Sequence, residues 1–98
     1  MTTRRRSGWQ VYLLRCRDGT LYAGATNDLA GRLARHARGL GARYTRSRLP
    51  AVLVWSVGVP DRSAALRREA AVKRLTRGEK LALVAMARGS RKRRTRPG

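Results

Sequence analysis

Only five acidic side chains stand against 24 Lys and Arg in the 98-residue chain, so each carboxylate can be asked what it does. Asp18 precedes Gly19 in a turn-forming pair. Asp28 falls in the first turn of an expected helix, where a carboxylate suits the helix dipole. Asp61 stands at an N-cap, and Glu79 closes a capping box with Thr76. Glu69 has no such local task. Its neighbours on the same helical face, Ala65, Leu66 and Val72, are apolar, and a partly buried carboxylate needs a partner. That partner is either a divalent cation or Lys73 one turn on, and spacing alone leaves both open.

Arg32 and His36 lie four apart and share a helix face. An Arg there can clamp a phosphate, and a His can move a proton or bind a phosphate oxygen. Arg35 and Arg38 flank them, and the whole group is equally readable as a solvated basic face. His36 is the single histidine and Cys16 the single cysteine; together they cannot supply the four ligands of a usual zinc site. Tyr12 and Tyr22 read as strand residues, whose hydroxyls would need partners if buried. Tyr44, between Arg43 and Arg46, can stack on a base or point at a phosphate.

The elements that must position these groups follow from local pattern. Residues 9–16 (WQVYLLRC) and 20–25 (TLYAGA) read as two strands of a hairpin around Arg17-Asp18-Gly19. A two-residue loop would put Tyr12 and Tyr22 on opposite faces. A three-residue loop with Gly19 in the left-handed region pairs Cys16 with Thr20, so that Tyr12, Leu14, Tyr22 and Gly24 share a face. The second register is favoured. Thr26 or Asn27 can cap a first helix to about Arg38, with Leu29, Ala30, Leu33 and Ala37 as its buried stripe, and Gly39 stops it. Residues 39–50 read as a Gly- and Arg-rich loop, 51–57 (AVLVWSV) as a third strand, and 60–75 and 76–87 as two more helices. The fold class is therefore α+β: a small three-stranded antiparallel sheet flanked by about three helices. The expected organisation is a basic N-terminal arm over 1–8, one domain over 9–87, and a disordered basic tail over 88–98.

The formal net charge is +19. Nine of the 24 basic residues lie in the two terminal segments, and the middle still carries +10. Such a surface attracts polyanions. A GC-rich coding bias would favour Arg over Lys, yet it does not account for so few acids. A lone cysteine allows no internal disulfide and makes a disulfide-linked partner unexpected, so a reducing cytoplasm is the expected setting, with nucleoid association compatible. No apolar run approaches the ~20 residues that span a bilayer, so no membrane is expected as partner.

Taken in order, these residues resemble a known family. Val11-Tyr12-Leu13, and ten residues later Tyr22-Ala23-Gly24, are similar to the two halves of the GIY-YIG nuclease motif. Thr26-Asn27-Asp28-Leu29, then Arg32-Leu33 and His36, resemble the family's catalytic-arginine helix, and Glu69 stands where its metal-binding glutamate is expected. The likeness is to the small stand-alone members of uncharacterised function, and it covers about residues 9–87. The first motif reads QVY, the second YAG, Ala25 replaces a Lys of some members, and the late asparagine of larger relatives is missing.

The resemblance implies a metal-dependent endonuclease, a phosphodiesterase acting on DNA (ahead of RNA) with low sequence specificity, selecting structure in DNA repair or recombination. It implies one ion, Mg²⁺ or Mn²⁺, held by Glu69 with waters and a phosphate oxygen. Tyr12 would bind or deprotonate the attacking water, Tyr22 would position the phosphate, Arg32 would stabilise growing negative charge, and His36 would assist the nucleophile or the leaving oxygen. Arg35, Arg43, Tyr44, Arg46 and Lys73 are the expected nucleic-acid contacts. Two alternatives remain open: a non-catalytic nucleic-acid-binding module on the same scaffold, and an adaptor whose basic ends dock on an acidic protein. Oligomeric state is left open.

Overall fold

A computed structural model describes residues 8–41 and 43–95, without the side chains of 43, 44 and 88–95. Seven elements follow in order: β1 (Gln10–Arg15), β2 (Leu21–Thr26), α1 (Leu29–Ala37), the single turn α2 (Arg43–Arg46), β3 (Val52–Gly58), α3 (Arg62–Lys73) and α4 (Arg77–Thr95). The three strands form one antiparallel sheet in the order β2-β1-β3. This is the expected α+β architecture.

The hairpin takes the three-residue register. Cys16 donates its backbone N–H to Thr20 O at 2.9 Å, Gly19 donates to Cys16 O at 2.9 Å, and Gly19 has φ 86°. A residue with a Cβ adopts that conformation only under strain. The register sets Tyr12 opposite Gly24 and Leu14 opposite Tyr22, so the odd and even residues of β1 face different neighbours. Val11, Leu13 and Ala23 join Trp55, Ala65, Val72 and Val84 in an apolar core, with α3 and α4 covering that face. Tyr12 and Leu14 are buried on the other face, where α1 and α2 lie. A register shift between Leu13 and Leu14 interrupts the pairing of β1 with β3.

Several local expectations need correction. The cap of α1 is Asp28 itself, whose side chain accepts from Gly31 N at 3.1 Å, while Thr26 Oγ1 accepts from Asp28 N at 3.0 Å. Aspartate is as good a cap as the two residues before it, and the threonine is used to hold its backbone. Ala30 and Ala37 are exposed, and the inward row of α1 is Leu29, Leu33 and His36. The polar histidine takes the core-facing slot because a hydrogen-bonded ring satisfies it there. The helix ends as expected at Gly39 (φ 78°), where Gly39 N–H bonds His36 O at 3.0 Å and Leu40 N–H bonds Arg35 O at 2.8 Å. Within the expected 39–50 loop the chain makes the short turn α2.

Asp61 caps α3 through Ala64 N at 2.8 Å, and Thr76 and Glu79 form the expected reciprocal box on α4. The backbone of α4 stays helical to Thr95, past the end expected at Ala87 and through most of the segment expected to be a disordered tail. Residues 88–95 contain no proline and five good helix formers, so nothing local breaks the ladder. Residues 1–7 of the expected N-terminal arm and 96–98 of the tail lie outside the described residues.

Candidate active site

The site is organised around one phenol. Tyr12 projects from the central strand and is 1% exposed. Its ring lies directly over Gly24, so closely that a Cβ there would overlap the hydroxyl and the ring edge. The glycine of the YAG segment is therefore required by side-chain passage, with no unusual backbone angle involved. Tyr12 hydroxyl lies 3.4 Å from His36 Nε2, longer than an ordinary hydrogen bond.

His36 is 2% exposed. Its other nitrogen, Nδ1, is 2.9 Å from Thr45 Oγ1, and Thr45 is fully buried. The ring sits edge-on to both tyrosines, with centroids 6.2 Å from Tyr12 and 5.8 Å from Tyr22. Gly41 backs onto the imidazole, where a Cβ would strike it. Thr45 and Gly41 escaped the sequence reading. The only signal for them was the Gly- and Arg-rich composition of the 39–50 loop, which does not say which way a side chain turns.

Tyr22, Arg32 and Glu69 all act electrostatically on the Tyr12 hydroxyl. The Tyr12 pKa is pushed up to about 12, first by burial, then by the neighbouring Tyr22; the Arg32 charge pulls it back in part, and the Glu69 carboxylate adds a smaller push upward. Burial, then the Arg32 charge, hold His36 below its ordinary value, so the ring is neutral near pH 7. Arg32 is exposed on α1, while Glu69 is on α3, which packs chiefly on β2 and β1. β2 is an edge strand, so groups from helices on both sides of the sheet come within electrostatic reach of one hydroxyl.

Glu69 lies between Ala65 and Val72 on the inner face of α3, with its side chain 20% exposed. It pairs with Lys73 Nζ at 3.4 Å, and the Lys73 side chain is 55% exposed. Both partners that spacing allowed therefore stay available, since an exposed lysine can swing away at little cost. Among the described residues no group of three His, Cys, Asp or Glu could hold a metal ion. A single carboxylate such as Glu69 suits a cation that keeps most of its water, as Mg²⁺ or Mn²⁺ does, and does not suit zinc.

Of the expected nucleic-acid contacts, Arg35 lines a shallow polar cleft of about 330 Å³ together with Thr26, Asn27, Asp28, Gly31 and Arg32. Arg46 is exposed on α2. The side chains of Arg43 and Tyr44 lie outside the described residues. Asp18, assigned only a turn role from sequence, does more. It accepts from Thr20 N and Oγ1 at 3.1 and 2.6 Å, and its other oxygen pairs with Arg48 Nε at 3.0 Å. Arg17 N–H bonds Arg48 O at 2.8 Å. This clasp ties the segment carrying Thr45 to the hairpin.

A family model described as the GIY-YIG catalytic domain matches residues 8–82. The chain belongs to the GIY-YIG family. This GIY-YIG chain is 54% identical over 74 residues to a UPF0213 protein of Xanthomonas axonopodis pv. citri, covering 76% of the chain and 72% of that relative. It is 51% identical over 81 residues to a UPF0213 protein of Nitratidesulfovibrio vulgaris, covering 83% and 74%. Among solved structures it is similar to the solution NMR structure of a UPF0213 protein from Bacillus halodurans, with 44% identity, a TM-score of 0.52 and coverage of 80% and 83%. The family implies a nucleic-acid substrate. No helix among the described residues is long and apolar enough to cross a membrane.

Proposed function

We propose that this GIY-YIG protein is a metal-dependent endonuclease that hydrolyses phosphodiester bonds in DNA, with RNA as second choice, at low sequence specificity. The observation that supports this reading is the meeting of Tyr22, Arg32 and Glu69 within electrostatic reach of the buried Tyr12 hydroxyl, with a neutral His36 beside it. A phenol whose pKa is pushed up to about 12 is a poor base alone. It works when its own proton has an acceptor, and His36 Nε2 is within reach of it.

In this reading Tyr12 takes a proton from water as the water oxygen approaches phosphorus. Tyr22 orients the phosphate at the mouth of the site. Arg32 balances charge growing on the phosphoryl oxygens. Glu69 holds the divalent ion after releasing Lys73, and Lys73 is then free to meet a neighbouring phosphate. The ion when bound supplies positive charge to the phosphate oxygens and to the departing oxygen. Arg35 and Arg46 hold adjacent phosphates along the α1–α2 side. In this reading shape selects the target, with nicked, flapped and branched ends in repair or recombination as the expected class.

The test is a divalent-metal titration with labelled branched, single-stranded and duplex substrates. Products should appear with Mg²⁺ or Mn²⁺ and vanish with EDTA. Glu69→Ala and Arg32→Ala should bind nucleic acid yet cut at least about 10²-fold more slowly. Cleavage by either variant at the parent rate overturns the assignment. A non-catalytic nucleic-acid-binding module is the second reading, and the Glu69–Lys73 ion pair favours it. It predicts the same salt-sensitive binding without products.

A further inference from the structure

Both ring nitrogens of His36 face protein hydroxyls, with Thr45 Oγ1 at 2.9 Å from Nδ1 and Tyr12 hydroxyl at 3.4 Å from Nε2. A neutral imidazole carries one N–H, so one nitrogen donates and the other accepts. Which does which decides whether His36 can take a proton from Tyr12. If Nε2 carried the hydrogen, Tyr12 would have no acceptor at His36.

Two features favour the other tautomer. Thr45 is the third residue of the single turn α2, and a threonine hydroxyl commonly donates to a nearby backbone carbonyl. That leaves lone pairs, and no hydrogen, for His36 Nδ1. A phenol hydroxyl is also a stronger donor than acceptor, which suits an unprotonated Nε2. Both Thr45 and the ring are excluded from water, so no solvent molecule can substitute for either partner.

We propose that Thr45 is a positioning residue that holds His36 as the Nδ1–H tautomer and so leaves Nε2 to accept the Tyr12 phenolic proton. This rests on the reading of Tyr12 as the group that deprotonates water. The step balances as follows. A water O–H bond breaks and its proton goes to the Tyr12 oxygen, while the Tyr12 O–H bond breaks and that proton goes to His36 Nε2. The water oxygen forms the new bond to phosphorus with its freed electron pair, and the old P–O bond breaks with its pair on the departing oxygen. The imidazolium then returns its proton through the Tyr12 hydroxyl to that oxygen.

His36 is the single histidine, so its ring nitrogens can be read without ambiguity by long-range ¹H–¹⁵N correlation on the full-length protein. The wild type should show a protonated Nδ1 and an unprotonated Nε2 above neutral pH. Thr45→Val should shift the ring toward the Nε2–H form and lower kcat by about 10- to 100-fold, the scale seen when partners of working histidines are removed, with KM changed less than about twofold. Thr45→Ser should restore both tautomer and rate. A wild-type ring protonated at Nε2 overturns the proposal, as does a folded Thr45→Val protein with an unchanged tautomer. Should Thr45→Val not fold, the wild-type and Thr45→Ser spectra still decide. An Nδ1–H ring that follows the residue at 45, in a protein that cuts nothing, supports the role of Thr45 and sinks the nuclease reading separately.

Discussion

The ring of Tyr12 lies over the bare backbone of Gly24, its partner across the β1–β2 ladder. A methyl group at position 24 would occupy the space of the phenol. Gly24→Ala should therefore push Tyr12 out of register with His36. The expected cost is about 1–3 kcal/mol in urea unfolding, with cleavage falling much further than stability. Parent-like cleavage by Gly24→Ala would show that the phenol does not need this path.

Tyr12→Phe removes one hydroxyl and keeps the ring. The change in stability should stay within about 1.5 kcal/mol, while cleavage under single-turnover conditions falls about 10²- to 10⁴-fold. Comparison with Tyr22→Phe separates the two tyrosines, because the Tyr12 hydroxyl lies 3.4 Å from His36 Nε2 while the Tyr22 ring meets the imidazole edge-on at 5.8 Å. An equal and small loss in both would assign the pair to packing.

Acidification should destabilise the fold through His36. Burial, then the Arg32 charge, hold its folded pKa below the ordinary 6.5, so the unfolded chain takes up the proton first as pH falls. The stability contributed by the neutral ring is complete above that unfolded value. It is lost as pH drops from there through the lower folded value. Urea midpoints measured from about pH 8 to pH 5 should fall more steeply for the parent than for His36→Gln. Matching slopes would mean that the ring is not held neutral.

The Asp18–Arg48 pair is exposed on both sides, so its direct worth is about 0–1 kcal/mol. A double-mutant cycle with Asp18→Asn and Arg48→Gln should give a coupling in that range. Cleavage should drop more than the coupling accounts for, because the pair orients the segment that carries Thr45. A loss of activity no larger than the loss of stability would reduce the clasp to a surface contact.

Binding should weaken steeply with salt. Arg35→Ala and Arg46→Ala should each flatten the slope of log K against log salt by about 0.7–0.9, the amount for one phosphate contact. An unchanged slope removes that residue from the interface.

The amino-acid sequence by itself marked the three strands, the three longer helices and the family resemblance, while α2 and the strand order came from the structure. The former depend on local pattern: the Arg17-Asp18-Gly19 turn marked the hairpin and favoured the register that the structure decides, Asp61 and the Thr76–Glu79 box started two helices, and Gly39 ended a third. Near neighbours in the chain carry enough information for such choices. It also singled out Glu69, with Lys73 or a cation as its partner, and the structure shows the Lys73 pair.

What it could not decide were contacts between segments far apart in the chain. Asp18 read as a turn residue because Arg48 is thirty positions away. His36 read as a candidate for proton transfer or phosphate binding on the same helix face as Arg32, yet it points into the protein, where Thr45 and Tyr12 offer its two nitrogens partners. Thr45 and Gly41 looked like ordinary loop residues. A hydroxyl or a missing side chain acquires its meaning only from what the tertiary fold sets beside it, and no periodicity along one segment records that.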